Sequence, residues 1–437
     1  MWNYYIRLAW ISIKKTPVLS ALMILAIATG IAASLTTITL YSVIASNPMA
    51  HKNDTLFAVQ LDSWDPEETF WAANGVPLML TFRDAKALYQ ADVAEETLIM
   101  FRAGLTVRDI NGQQLPKVEG ARMTTNSFFS LFDVPFVYGS SWDESADQNG
   151  AKHVVIAESL NHAIFNGENS VGKNLLLEGE SYTVTGVVAD SWSLTPSVYD
   201  LNINAFKQPE TIYIPFLNIE RQSFPSWGDS NGWKYEQTSS YQESLMTEQV
   251  WVQAWVSLLD ARQYQDYEQF LRNYINEQKQ LGRFQRPLKF HLNTPEQWLA
   301  INAVVSQDNR ILVGLSLAFL LVCLVNAVVL LLAKFLRKAP EAGLRRALGA
   351  SRQAIFIQHL TEAVVIGSAG AAFGLALSWL GLLGIRVLYA DYQQLAVMSL
   401  TTLFGALLLA IVSSLLSGIL PAWQIARAQP ARYLKSQ

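Results

Sequence analysis

Four stretches of the chain carry no charge at all. Val18 to Asn47, Ile311 to Ala333, Ala363 to Ile385 and Tyr392 to Ala426 contain no Asp, Glu, Lys or Arg. A helix of about 23 residues rises about 35 Å, enough to cross a hydrocarbon core of about 30 Å with some tilt. The pattern therefore predicts spans at 18–47, 310–333, 363–386 and 395–421. The first run follows Arg7, Lys14 and Lys15, as the apolar part of a secretory signal would. Signal segments are only about 7–15 apolar residues long, so the longer run here predicts a retained anchor.

Between the first two runs, over 48–309, the pattern changes. Trp251-Val252-Gln253-Ala254-Trp255-Val256 alternates as a strand does, whereas Tyr264 to Gln280 has helical spacing. Val154 to Leu160, then Phe165 and Gly172-Lys173, then Tyr182 to Val188 predict a strand, a helix, a turn and a hairpin. The fold class that follows is an α-helical membrane bundle of four transmembrane helices carrying a large α+β extracytoplasmic domain.

Charge adds the orientation. His51 to Arg310 holds 19 Lys+Arg against 33 Asp+Glu, a net of −14, while the rest of the chain is +10; the mean hydropathy is +0.18. Arg7, Lys14 and Lys15 precede the first span. Lys334, Arg337, Lys338, Arg345, Arg346 and Arg352 lie between the second and third, and Arg427, Arg432 and Lys435 follow the fourth. Basic flanks mark the cytoplasmic side. This predicts a multi-pass membrane protein with cytoplasmic segments at 1–17, 334–362 and 422–437, and outer segments at 48–309 and 387–394. The basic residues flank apolar runs instead of striping a soluble surface, so the expected partner is membrane lipid and not nucleic acid. With no Asp, Glu, Lys or Arg deep in a span, an ion-coupled pathway is disfavoured.

Two weaker patterns accompany the spans. Tyr5, Leu8, Ala9 and Ser12 or Ile13 share a helical face, with Trp2 and Trp10 as interfacial anchors. They read either as an amphipathic helix on the inner leaflet or as an ordinary flank of the first span. Gly30, Gly367, Gly370, Gly374, Gly405 and Gly418 would permit close helix approach.

Catalytic chemistry finds no support. Cys323 is the sole cysteine and lies in an apolar run, and the five histidines show no metal-ligand spacing. Gly167 to Asn174 comes within one residue of a phosphate-binding loop. Asn174 replaces the hydroxyl that would hold magnesium, and the next residues read as a strand where such a loop must open a helix. No catalytic, cofactor-binding or metal-binding residue is expected. The tryptophans Trp192, Trp227, Trp233, Trp251, Trp255 and Trp298 are expected to be mostly core.

The loop between the second and third spans carries the informative motif. Glu341-Ala342-Gly343-Leu344-Arg345-Arg346-Ala347-Leu348-Gly349-Ala350-Ser351-Arg352 predicts a short helix, a glycine break and a second helix entering the third span. Leu344 and Leu348 fall on one face at i, i+4, beside Arg345 and Arg346. Such a knob suits a groove on a partner; a basic loop serving only orientation is the plainer reading.

This motif resembles the E-x-G-[IL]-R-[RK]-A-[LV]-G-A-[ST] signature of the MacB/FtsX-type ABC transporter permeases, also called type VII or mechanotransmission transporters. The resemblance extends to Arg7-Leu8-Ala9 with Lys15-Thr16-Pro17, Gly120-Ala121-Arg122 with Phe128-Phe129, Val154 to Val188, and Pro421-Ala422-Trp423 with Ala426-Arg427 and Pro430. Only Ser191 to Gln249 lacks a recognisable counterpart. The resemblance implies a bacterial inner-membrane protein with both termini cytoplasmic and a MacB-like periplasmic core domain. It also implies a coupling helix formed by Glu341, Gly343, Leu344, Arg345, Arg346, Ala347, Leu348, Gly349, Ala350 and Arg352 that docks on an ATPase. MacB itself carries a fused ATPase; with no valid P-loop here, a separate ABC ATPase subunit in two copies is implied, binding ATP and Mg in place of this chain. A second permease, identical or paralogous, is implied too, and the family allows a periplasmic adaptor and an outer-membrane channel. The expected function is export of peptides, antibiotics or other amphipathic compounds. Lipoprotein release, or FtsX-like control of a cell-wall hydrolase, are the alternatives.

Overall fold

The computed structural model describes residues 2–108, 116–202, 204–224, 226–388 and 400–427. Most of the outer loop expected at 387–394, the start of the fourth span, and Arg432 and Lys435 lie outside these residues. The chain divides into two units, Met1–Ala45 with Val305–Gln437, and Ser46–Val304.

The first unit starts with α1 (Trp2–Lys15) and α2 (Pro17–Ile44). Pro17 sits at the first position of α2, where a missing N–H costs nothing. The face foreseen on α1 is spent on packing: Ala9 and Ser12 are buried and α1 lies against α12, introduced below. Its opposite face leaves Tyr4, Ile6, Trp10 and Ile11 exposed, with Lys14 Nζ 5.5 Å from the Trp10 ring centre.

In the second unit, the strands are β1 (Leu56–Leu61), β2 (Leu80–Thr81), β3 (Glu96–Arg108), β4 (Lys117–Thr124), β5 (Phe136–Gly139), β6 (His153–Ala157), β7 (Asn174–Leu177), β8 (Glu180–Val188), β9 (Ile212–Pro215), β10 (Val250–Ser257) and β11 (Phe290–Asn293). The helices are α3 (Phe82–Gln90), α4 (Ser127–Leu131), α5 (Glu144–Asn149), α6 (Glu158–Phe165), α7 (Tyr241–Leu245), α8 (Ala261–Gln280) and α9 (Pro295–Ile301). The strands form one sheet ordered β11-β1-β10-β3-β4-β9-β6-β8-β5, with β2 on β10 and β7 on β3 and β8. Pairs β4/β9 and β6/β8 are parallel; the others are antiparallel.

Both faces of this sheet are covered, which is why its central strands are apolar on both sides. On β10, Val252, Ala254 and Val256 join one core with α3 and α8, and Trp255 joins the other with Phe128, Trp192 and Trp298. The strand at Trp251–Val256, the helix ending at Gln280 and the order β6, α6, β7, β8 follow the sequence reading. Trp192, Trp255 and Trp298 are buried and Trp251 is half-buried, while Trp227 is 40% exposed. Strand β7 starts at Asn174, so the near-P-loop opens a strand and not a helix.

Ser191 to Gln249 is also structural. It supplies β9, a strand inside the sheet, and three charged residues that close on Arg122 of β4. Arg122 Nη2 donates to Asp200 Oδ2 at 2.6 Å and Glu210 Oε1 at 2.5 Å, and Nη1 donates to Gln253 Oε1 at 3.1 Å. Lys207 donates to Asp200. Burial alone would raise the Asp200 carboxyl, but Arg122 and Lys207 outweigh it and hold it below the usual carboxylate range. In a second cluster, Arg283 grips Asp84 through two nitrogens at 2.8 Å each and Glu248 at 2.7 and 3.0 Å.

The first unit resumes with α10 (Gln307–Arg337), α11 (Ala339–Ala347), α12 (Arg352–Leu388) and α13 (Leu400–Arg427). Among the described residues, α2, α10 and α12 are long and apolar enough to cross a membrane. Helix α13 is a fourth long apolar helix with Pro421 inside it. Helix α2 packs on α10 and α12, and α13 on α12 and α10. Close approach is real at Gly30, Gly367, Gly370, Gly374 and Gly418, whereas a Cβ at Gly405 would meet nothing within 4 Å. A Cβ at Gly30 would meet Cys323 at 2.9 Å, and one at Gly370 would meet Ile27 at 2.8 Å.

Candidate functional site

Helix α11 begins with Pro340 in its first turn and has Glu341 near its N-terminus and Arg345 and Arg346 in its last turn, an arrangement that complements the helix dipole. Its inner face is made of small residues: Ala339, Ala342 and Gly343 are buried, the alanines in one core with Phe335 and Ile355. The outer face carries Leu344, 53% exposed, and Leu348, 80% exposed. Two leucines held in the open at i, i+4 are unusual for a surface that serves only to orient a loop.

The break after α11 has a defined geometry. The N–H of Ala350 donates to the carbonyl of Arg345, and that of Gly349 to the carbonyl of Arg346. These are the paired closing bonds of a Schellman motif, with Gly349 as the residue beyond the cap. Gly349 has φ +102°, which a side chain would resist. Ser351 then caps α12, its Oγ accepting from the N–H of Ala354 at 3.1 Å. Arg345 Nη1 donates to Gln358 Oε1 at 2.8 Å, tying α11 to α12. Glu341, Ala347 and Arg352 are exposed, Ala350 is partly so, and all ten foreseen residues lie on this one hairpin of helices.

Behind it lies a charge cluster that sequence reasoning missed. Lys334 of α10 is 1% exposed and Glu362 of α12 is 2% exposed. Lys334 Nζ lies 2.9 Å from Glu362 Oε1 and donates to Ser20 Oγ of α2 at 3.0 Å. Lys338 Nζ stands 3.5 Å from the same carboxylate oxygen, and Ser12 of α1 hydrogen-bonds both Glu362 and Lys338. Four helices therefore meet at one carboxylate. The signal was present in the spacing: Ala327, Leu331, Lys334 and Lys338 form a single helical stripe running from the buried core of α10 into its charged end.

Residues 20–269 match the MacB-like periplasmic core domain, and residues 313–430 match the FtsX-like permease C-terminal domain. The chain belongs to the MacB/FtsX-type ABC transporter permease family. The matched range includes Ser191 to Gln249, the stretch that resembled nothing on inspection. Among relatives of this permease, the pyoverdine export ATP-binding/permease protein PvdT of Pseudomonas entomophila (strain L48) is 24% identical over 82% of this chain and 49% of its own length. The macrolide export ATP-binding/permease protein MacB of Burkholderia cenocepacia (strain HI2424) is 24% identical over 70% of this chain and 39% of its own. The chain thus spans about half the length of the curated relatives it matches, or less. The crystal structure of the periplasmic region of MacB from Actinobacillus actinomycetemcomitans aligns with a TM-score of 0.36 and 12% identity, covering 57% of this chain and 95% of that one.

Proposed function

We propose that this chain is the permease subunit of an ABC exporter and that it takes up ATP-driven motion from a separate ATPase subunit through α11. The observation that carries this reading is the pair of exposed leucines on a short helix that is rigidly closed at Gly349 and tied to α12. A partner pressing on Leu344 and Leu348 would push on α12 directly, and on α1, α2 and α10 through Glu362. In this reading α13 is the fourth span, both termini and α11 lie in the cytoplasm, and Ser46–Val304 lies in the periplasm. The outer unit then changes conformation without a polar channel through the bilayer. Two permeases and two ATPases form the working assembly.

The relatives named for pyoverdine and macrolide export favour an amphipathic cargo handled on the periplasmic side. The test is a pull-down of the tagged chain from its native membrane, with mass spectrometry of what comes with it. A P-loop ATPase recovered with the wild type and lost with Leu344→Asp/Leu348→Asp is the expected outcome. A wild type that brings down no ATPase removes the transporter reading. Recovery of a cell-wall hydrolase or of lipoproteins redirects it to regulation or lipoprotein release.

A further inference from the structure

Between α1, α11 and α12 lies a cavity of about 100 Å³. A single water needs about 10–15 Å³ on this measure, so the space holds a group the size of a phosphate. Leu8, Ile11 and Ile355 give it apolar walls, and Lys15, Lys338 and Arg345 give it cations. His359, 3% exposed, also lines it, and its Nδ1 has no hydrogen-bond partner. The nearest anion to that nitrogen is Glu362 Oε2 at 4.0 Å.

Charge does not balance here. Lys15, Lys334, Lys338 and Arg345 face Glu341 and Glu362, four cations against two carboxylates, and Glu362 is already shared by both Lys334 and Lys338. Surplus cations around a cavity call for an anion. The walls say where such an anion comes from. The cavity lies at the basic end of the bundle and is walled by Leu8 and the exposed Ile11 of α1, where a helix resting on a leaflet would place acyl chains.

We infer that this cavity binds the phosphate of an anionic phospholipid headgroup from the inner leaflet, held by Lys15, Lys338 and Arg345 and bridging α1 to α11. The inference needs only that the bundle sits in a membrane with its basic end at that leaflet. It stands or falls apart from the ATPase pull-down, because the readout contains no ATPase.

The full chain is reconstituted in nanodiscs of equal phosphatidylcholine and phosphatidylglycerol, and the lipid retained after detergent extraction is read by native mass spectrometry. Wild type retains phosphatidylglycerol over phosphatidylcholine. Lys15→Gln and Arg345→Gln, both changes at exposed side chains, each lower that preference about fivefold, the worth of one cation beside an anionic leaflet. Lys14→Gln, a neighbouring cation outside the cavity, leaves it unchanged. Equal retention of the two lipids overturns the inference, and so does a loss with Lys14→Gln matching that with Lys15→Gln, which would mean diffuse surface attraction. Release of the lipid by inorganic phosphate, but not by chloride at matched ionic strength, assigns the cavity to a soluble phosphate and overturns the lipid.

Discussion

Arg122 in the outer unit and Glu362 in the bundle each sit at the centre of a buried charge cluster, and the two clusters are built on opposite plans. Around Arg122 a planar guanidinium spreads its donors over two carboxylates and an amide, with Lys207 on Asp200 and Arg102 on Glu210 as further cations. Around Glu362 a single carboxylate is shared by two ammonium groups and a serine, and cation is in excess. A guanidinium fork fixes direction, whereas ammonium groups on flexible stems act as point charges that tolerate rotation of what they hold. The outer cluster suits a rigid body. The bundle cluster suits helices that must shift while staying attached, as the proposed transmission from α11 requires.

Breaking each cluster separates the two plans. Arg122→Met leaves Asp200 to Lys207 and Glu210 to Arg102 in a core that hydrates neither carboxylate, and takes the central partner from both at once. It should cost about 5 kcal/mol, the upper end for a broken buried cluster, read in the full chain as faster hydrogen exchange across β3, β4 and β9. Glu362→Ala strands Lys334, but Lys338 can turn its ammonium to water and Ser20 still accepts from Lys334. A cost near the lower end, about 3 kcal/mol, is expected, with exchange rising at α1 and the start of α12. Equal losses at both sites would contradict the contrast. Lys334→Met/Glu362→Leu sharpens it, since an apolar replacement of a buried pair is often neutral for stability; the fold should persist while ATPase stimulation by the permease falls.

Smaller effects test local geometry. Gly349→Ala places a side chain at φ +102° and should cost about 1–2 kcal/mol, seen as faster exchange confined to the end of α11. In the outer unit, burial pushes the Asp147 carboxyl up to about 7, against hydrogen bonds from the Asn126 N–H and the Trp142 indole. A carboxyl raised in the folded state binds protons there that the unfolded chain has released. Its contribution is therefore present below pH 4 and lost as pH rises towards 7. Asp147→Asn should flatten that part of the stability profile relative to wild type, measured by tryptophan fluorescence during thermal unfolding; an unchanged slope would exclude Asp147 as its source.

What was legible in the sequence was local. The uncharged runs, the β6 to β8 order and the helix, glycine and helix of 341–352 are each written in neighbouring residues. The Arg122 cluster was not, because Asp200 and Glu210 lie 78 and 88 positions away and meet Arg122 only in the folded sheet. Strand β9, four residues long, is too short to show a period. Lys334 and Glu362 were visible as charges ending two apolar runs, and in that position any charge reads as a flank. Only the continuation of α10 and α12 through them brings them inside. The apolar face of α1 was visible too, but an amphipathic face does not say whether lipid or another helix will cover it; here Ala9 and Ser12 are covered by α12.

The central claim is that α11 docks on an ATPase, and one cross-link addresses it directly. The single native cysteine, Cys323, is buried, so Leu348→Cys provides a unique exposed thiol. A short thiol-directed cross-linker added to native membranes should join position 348 to a P-loop ATPase, while Trp71→Cys, on an exposed position of the outer unit, should not. A thiol at 348 that reacts with a membrane-impermeant reagent from outside, or that captures no ATPase while Trp71→Cys does, would contradict both the orientation and the coupling role.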